Sequence, residues 1–206
     1  MGYYFAAMTV RRFFYYTPFL ITNGGVVACG LSYNGKAKDE THKWDKIVAV
    51  DVAGIELSNS CMEMLKCWNH QVHLWLKFYV LMRLTKPGGR PGLFANLSTF
   101  IVSAFWHGFY PGYYMFFLTV PLLTMCERLG MKKISPRFSP KKWSLYGIST
   151  IIATSVLVQY IVIAFQLLAF DWALAAWKSH YFFGHILCFV FYLVVSQMKT
   201  PKKKEA

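Results

Sequence analysis

The chain has 206 residues, of which 56% are apolar, 18% aromatic and only 15% charged. Soluble domains carry about 25% charged side chains, so this composition argues against a water-soluble globule, and it is far too apolar for a disordered chain. Lys and Arg number 22 against 9 acidic residues, a formal charge of +13, but the cations flank apolar blocks. That arrangement suits loops meeting anionic membrane lipid and argues against a nucleic-acid partner.

In chain order, a bilayer core about 30 Å thick asks for roughly 20 apolar residues per helical span. Residues 13–34 are uncharged, yet Pro18 and Asn23-Gly24-Gly25 interrupt them, which predicts a broken or re-entrant span. Residues 35–57 are a polar loop carrying Lys36, Lys38, Asp39, Glu40, Lys43, Asp45, Lys46 and Asp51. Residues 58–84 read as one helix capped by Ser58 or Asn59, with Met64, Leu65, Trp68, Val72, Trp75, Leu76, Tyr79 and Val80 at helical spacing. Lys66, Lys77 and Arg83 place that helix partly in the interface or against other helices. The charge-free stretch 91–126 would overrun the bilayer as one helix, and Pro111-Gly112 predicts two helices, 93–106 and 113–128, meeting at a kink.

Residues 148–170 contain no charge, with Gln159 near the middle and a further Gln166, and are the clearest transmembrane helix; 181–198 is a second, shorter window. The predicted fold is all-α, a polytopic transmembrane helical bundle with broken or re-entrant helices. The linker 132–142 holds Lys132, Lys133, Arg137, Lys141 and Lys142 with no acid, and the tail 199–206 is again basic, whereas the linker 171–180 holds one Asp and one Lys. Two basic segments separated by two spans face one side, which the positive-inside rule makes cytosolic. Lys203-Lys204-Glu205-Ala206 resembles the dilysine retrieval signal of endoplasmic-reticulum membrane proteins. Five cysteines (Cys29, Cys61, Cys67, Cys126, Cys188), an odd number without a CxxC pair or zinc spacing, give no disulfide or metal framework.

Ionisable or amide groups at membrane depth are functional candidates by default. His107, in Ser103-Ala104-Phe105-Trp106-His107-Gly108, is the strongest. Burial disfavours imidazolium, which leaves a neutral ring able to accept a proton as a general base; the structural alternative is a core histidine bonded to a backbone carbonyl. Gly108 and the Pro111-Gly112 break leave room for a ligand to approach. Asn69 is the second candidate: its amide can donate to a developing oxyanion, or simply bond between packed helices. His70 and His73 share a helical face, but a third metal ligand at plausible spacing is missing, so no metal is expected. No GxSxG elbow, P-loop or Rossmann fingerprint occurs.

Trp68-Asn69-His70-Gln71-Val72-His73-Leu74-Trp75-Leu76-Lys77, then Arg83 to Gly92, then Ser103-Ala104-Phe105-Trp106-His107-Gly108-Phe109-Tyr110-Pro111-Gly112-Tyr113-Tyr114, resemble the membrane-bound O-acyltransferase family, and within it the lysophospholipid acyltransferase branch of fungal and plant type. Tyr3-Tyr4-Phe5-Ala6, Gly35, Trp44-Asp45 and Val50-Asp51 fit the same pattern. The resemblance implies transfer of a fatty acyl group from acyl-CoA, as co-substrate and without a resident cofactor, to a lysophospholipid hydroxyl at the endoplasmic-reticulum membrane. It implies His107 and Asn69 as catalytic residues. Trp68, Trp106, Gly108, Pro111, Gly112, Tyr113, Tyr114, Lys77 and Arg83 are the expected substrate-binding set, with Lys86 and Arg90 as further cations for CoA phosphates or lipid headgroups. Family members are longer than this chain, which matches their C-terminal portion. The competing expectation is a truncated, non-catalytic membrane protein that binds lipid or partner helices.

Overall fold

The computed structural model describes residues 2–138 and 141–201. The tail from residue 202 onward, with Lys203 and Lys204, lies outside them. The described residues are helical, without strands beyond one isolated bridge between Lys36 and His42 in the polar loop. The helices are α1 (Gly2–Ala28), α2 (Val52–Glu56), α3 (Cys61–Cys67), α4 (His70–Leu76) continued by a π-helical turn (Lys77–Leu81), α5 (Leu93–His107), α6 (Pro111–Lys133), α7 (Leu145–Leu167), α8 (Phe170–Ser179) and α9 (Phe183–Gln197). By length and composition α7 can cross a membrane, as can α8 and α9 together, bent by 66°.

Helix α6 is the hub and packs on α3, α5, α7, α8 and α9. Its buried Phe116, Phe117, Val120, Leu123 and Cys126 meet Ala104 of α5, Tyr160, Ile161 and Ala164 of α7, Trp177 of α8 and Cys188 of α9. Trp177 donates its indole N–H to the Tyr160 carbonyl at 3.2 Å, and the Tyr160 hydroxyl lies 2.8 Å from Nδ1 of His185. A second core joins Tyr16 of α1, Val50 and Ile55, with Phe19, Met64 and Trp68 packed against it.

Three elements differ from the sequence reading. Helix α1 runs unbroken through Pro18 and Asn23-Gly24-Gly25. The Asn23 side chain accepts the Ala49 N–H at 2.6 Å and Phe19 packs into the second core, so tertiary contacts override the local breakers. The expected single helix 58–84 is interrupted at Asn69, and its cap is Ser60: Ser60 Oγ accepts the Glu63 N–H at 2.9 Å while Glu63 Oε2 reaches back past the cap to the Ser58 hydroxyl and the Asn59 N–H, a variant of the capping box. The linker 171–180 is helix α8, because Ala173, Ala176 and Trp177 recur at helical spacing and are buried, while Asp171 and Lys178 face outward. The two helices predicted around residues 107–113 are α5 and α6.

One ion pair ties α1 to the loop. Arg12 donates from Nε to Glu56 Oε1 at 2.6 Å and from Nη2 to Oε2 at 2.8 Å, and the Tyr16 hydroxyl donates to Oε1 at 2.6 Å. Burial pushes the Glu56 carboxyl up, but the Arg12 and Tyr16 donors outweigh it and hold it below its ordinary value. The folded carboxyl therefore ionises at lower pH than the unfolded one, and the pair's stabilisation is present above the ordinary carboxylate range and lost as pH falls through the folded value. Thermal melts of the detergent-solubilised protein between pH 7 and pH 3 will show this as a falling midpoint. Glu56→Gln will melt lower at neutral pH and lack that acid-dependent component.

At the other end of the bundle, Lys133 Nζ donates to the Ser196 carbonyl at 2.6 Å and Arg137 donates to the Lys199 carbonyl at 2.9 Å. The basic end of α6 and the start of the basic tail thus lie side by side. Gly112 at the start of α6 donates its N–H to the Leu168 carbonyl at 2.7 Å, and a Cβ there would run into the Ala164 carbonyl oxygen and lie 2.8 Å from that of Leu168. Gly112→Ala should lower stability by about 1–3 kcal/mol, the usual cost of overpacking. Gly24→Ala, where a Cβ meets nothing, should leave stability unchanged or raised by up to about 1 kcal/mol through helix propensity; melting midpoints compare the two.

Candidate active site

His107 is the last residue of α5. Gly108 caps the helix, its N–H bonded to the carbonyls of Ala104 and Phe105 at 3.1 Å each. Gly108 has φ +131°, where a side chain is strained, while a Cβ would only touch the Tyr113 ring at 3.5 Å; backbone conformation, and not space, requires the glycine. Exposed Phe109 and Tyr110 make the connection, and Pro111 opens α6 at a position where its missing N–H costs nothing.

This turn surrounds the imidazole with rings. Phe117 stacks on it at 5.2 Å between centroids, Phe165 of α7 meets it edge-on at 4.9 Å, Tyr113 lies at 5.6 Å, and Trp106 is edge-on at 4.7 Å. The ring is half-buried and has no hydrogen-bond partner among the described residues. The carbonyl partner that a purely structural histidine was expected to hold is not there. Trp106 is half-exposed beside it, and Tyr114 packs against the main core.

Asn69 sits in the break between α3 and α4 with φ 44° and ψ 57°, the left-handed region, and its side chain makes no capping bond. Asn tolerates this conformation better than most residues, so backbone geometry alone favours it here. The break is strapped to the polar loop: the Asp51 N–H donates to the Cys67 carbonyl at 3.1 Å, the His70 N–H to Ala49 at 2.8 Å, and the Gln71 amide to Val48 at 3.2 Å. Helix α4 packs on α5, so Asn69 and His107 belong to neighbouring elements.

The other expected site residues divide. Trp106 and Tyr113 lie against His107, with Gly108 beside the Tyr113 ring, whereas Gly112 packs on Ala164 and Leu168 and Trp68 turns toward Tyr15, Tyr16 and Phe19 of α1 at 5.5–5.9 Å. Lys77 is exposed with its ammonium over the Phe78 ring, and Arg83 is exposed in the turn before α5. Arg90 precedes the start of α5, and the helix itself puts about 21 Å between its first residue and His107 (14 residues at about 1.5 Å). The sequence reading missed Glu127 of α6, whose Oε2 accepts the Met62 N–H at 3.3 Å and whose buried Oε1 has no hydrogen-bond partner among the described residues. The signal was available: a lone acid near the end of an apolar helix.

A sequence model of the membrane-bound O-acyltransferase family matches residues 1–170. The chain is 36% identical over 201 residues to a lysophospholipid acyltransferase of Saccharomyces cerevisiae (93% of this chain, 32% of that protein). It is 33% identical over 214 residues to lysophospholipid acyltransferase 2 of Arabidopsis thaliana (99% and 46%), and 31% identical over 204 residues to membrane-bound glycerophospholipid O-acyltransferase 2 of Rattus norvegicus (98% and 38%). An all-helical chain with a histidine caged at a helix break, matched over most of its length, belongs to the membrane-bound O-acyltransferase family. It spans 32–46% of the length of these relatives.

The left-handed Asn69 generates a stability prediction. Asn69→Gly should fold with little loss, because glycine takes this conformation freely, whereas Asn69→Ala should cost about 1 kcal/mol in strain. Melting midpoints of the two variants check the order.

Proposed function

We propose that this chain carries the acyl-transfer site of a lysophospholipid acyltransferase, using acyl-CoA as donor and a lysophospholipid hydroxyl as acceptor. The observation that carries this reading is the unpaired His107 imidazole, held by Phe117, Phe165 and Tyr113 at the α5–α6 break. The relatives' names support the lipid class.

In the proposed step, a neutral His107 takes the proton from the acceptor hydroxyl as its oxygen attacks the thioester carbonyl carbon. The Asn69 amide N–H donates to the oxyanion that forms. Collapse of the tetrahedral intermediate breaks the C–S bond, and the CoA thiolate receives the proton from His107. No covalent enzyme intermediate and no metal enter this scheme. The surrounding rings limit water at the reacting carbon, which favours transfer over hydrolysis of the thioester.

The same reading makes α5, α6, α7 and the bent α8–α9 pair a polytopic bundle in the endoplasmic-reticulum membrane. The ends of α6 and α9, gathered around Lys133 and Arg137, then face the cytosol by the positive-inside rule.

Microsomes carrying the chain, given labelled acyl-CoA and lysophosphatidylcholine, should form phosphatidylcholine. His107→Ala should reduce the rate by about 10²–10⁴, the usual value of a general base. Asn69→Gly, which spares the backbone, should reduce it by about 10²–10³. Equal rates in wild type and both variants would end the mechanistic claim.

A further inference from the structure

Between the polar loop and the α3–α4 break lies a cavity of about 210 Å³ lined by Val48, Asp51, Lys66, Cys67 and His70. Sites that enclose a drug-sized ligand run to roughly 300–1,000 Å³. This one is smaller and suits a compact polar group, not an acyl chain.

Its walls differ in character. Val48 and Cys67 offer uncharged surface. The Asp51 carboxylate divides its work: Oδ1 accepts the Gly54 N–H at 2.9 Å to cap α2, while Oδ2 has, among the described residues, only the Cys67 thiol at 3.9 Å. Lys66 brings an exposed ammonium. His70 Nδ1 lies 2.7 Å from the Lys66 carbonyl oxygen; a carbonyl only accepts, so Nδ1 carries the hydrogen and a neutral ring leaves Nε2 as an acceptor. Burial pushes the Cys67 thiol up and the carboxylates of Asp51 and Glu63 push it further, opposed by Lys142 from the α6–α7 linker. Asp51 and Lys66, both in the lining, put an anion and a cation on the same small volume. A lone anion would meet the Asp51 carboxylate, and a lone cation would meet Lys66. A ligand bearing both charges satisfies both sets.

We infer that this cavity takes the zwitterionic headgroup of the acceptor lipid, its phosphate toward Lys66 and its ammonium toward Asp51, with Val48 and Cys67 against the carbon substituents of the ammonium. Cys67 and His70 flank Trp68-Asn69, so a headgroup held here is adjacent in the chain to the amide proposed to polarise the thioester. The inference rests on a lysophospholipid being the acceptor, and it adds that amine-bearing headgroups are preferred.

Binding to the purified 206-residue chain in detergent tests it, read by ligand-observed NMR titration with glycerophosphocholine and with glycerol 3-phosphate as probes. Wild type should bind glycerophosphocholine more tightly. Asp51→Asn keeps the α2 cap, since Asn caps as well as Asp, and should weaken glycerophosphocholine about tenfold while leaving glycerol 3-phosphate unchanged or tighter. Lys66→Gln should weaken both about tenfold, as expected for loss of a charge-assisted contact. Equal binding of the two probes by wild type, or unchanged glycerophosphocholine affinity in both variants, overturns the inference. A chain that binds glycerophosphocholine as described but transfers no acyl group overturns the acyltransferase reading alone; one that transfers acyl groups without binding it overturns the headgroup site alone.

Discussion

The close approach of the start of α6 to the end of α7, closed by the Gly112 N–H and the Leu168 carbonyl at 2.7 Å, sets the geometry on which the candidate site depends. No side chain fits between the two helices at that point. With α6 seated there, Phe117 and Tyr113 come from one helix and Phe165 from the next to the same imidazole. Leu168 takes a positive φ of 64° with ψ −52°, the centre of a tight turn closed by the Ala169 N–H on the Leu167 carbonyl at 2.7 Å, a conformation that costs energy for a side chain of that size. The packing of α6 against α5, α7, α8 and α9 holds it there.

A second constraint acts at Asn69. Three backbone or amide bonds from residues 48–51 to the α3–α4 junction hold the helix break open, and a left-handed residue is needed to turn the chain. Asn meets that backbone requirement while leaving its amide free of local bonds. One side chain thus answers to a conformational demand and remains available for chemistry, which is why substitutions there must be chosen to separate the two.

Charge is distributed by the same economy of contacts. The Arg12–Glu56–Tyr16 network fixes α1 to the polar loop, and Lys133 and Arg137 use their cations to satisfy the last carbonyls of α9 and its tail. Cations near helix C-termini are favoured by the helix dipole as well as by these bonds. The cations Lys77 and Arg83 are exposed, Lys77 with its ammonium over the Phe78 ring, on the segment that packs on α5 and leads into it.

The helical class, the paired helices on either side of His107, the apolar α7 and the candidacy of His107 and Asn69 were all legible in the residues. Hydropathy windows and a Pro-Gly break are local properties, and a lone imidazole in an uncharged stretch stands out without any fold. Tertiary structure alone decided the rest. Pro18 and Gly24-Gly25 read as breakers, but Asn23 anchored to Ala49 and Phe19 packed on Trp68 keep α1 continuous. Residues 58–84 read as one helix because their apolar spacing continues through Asn69, and only the strap from residues 48–51 reveals the break. Residues 171–180 read as a loop because Asp171 and Lys178 outweighed two alanines and a tryptophan whose burial depends on α6 and α7. Periodicity reports which face of a segment is apolar; it does not report what that face meets, and those partners, distant in the chain, determine where helices end and which side chains stand together.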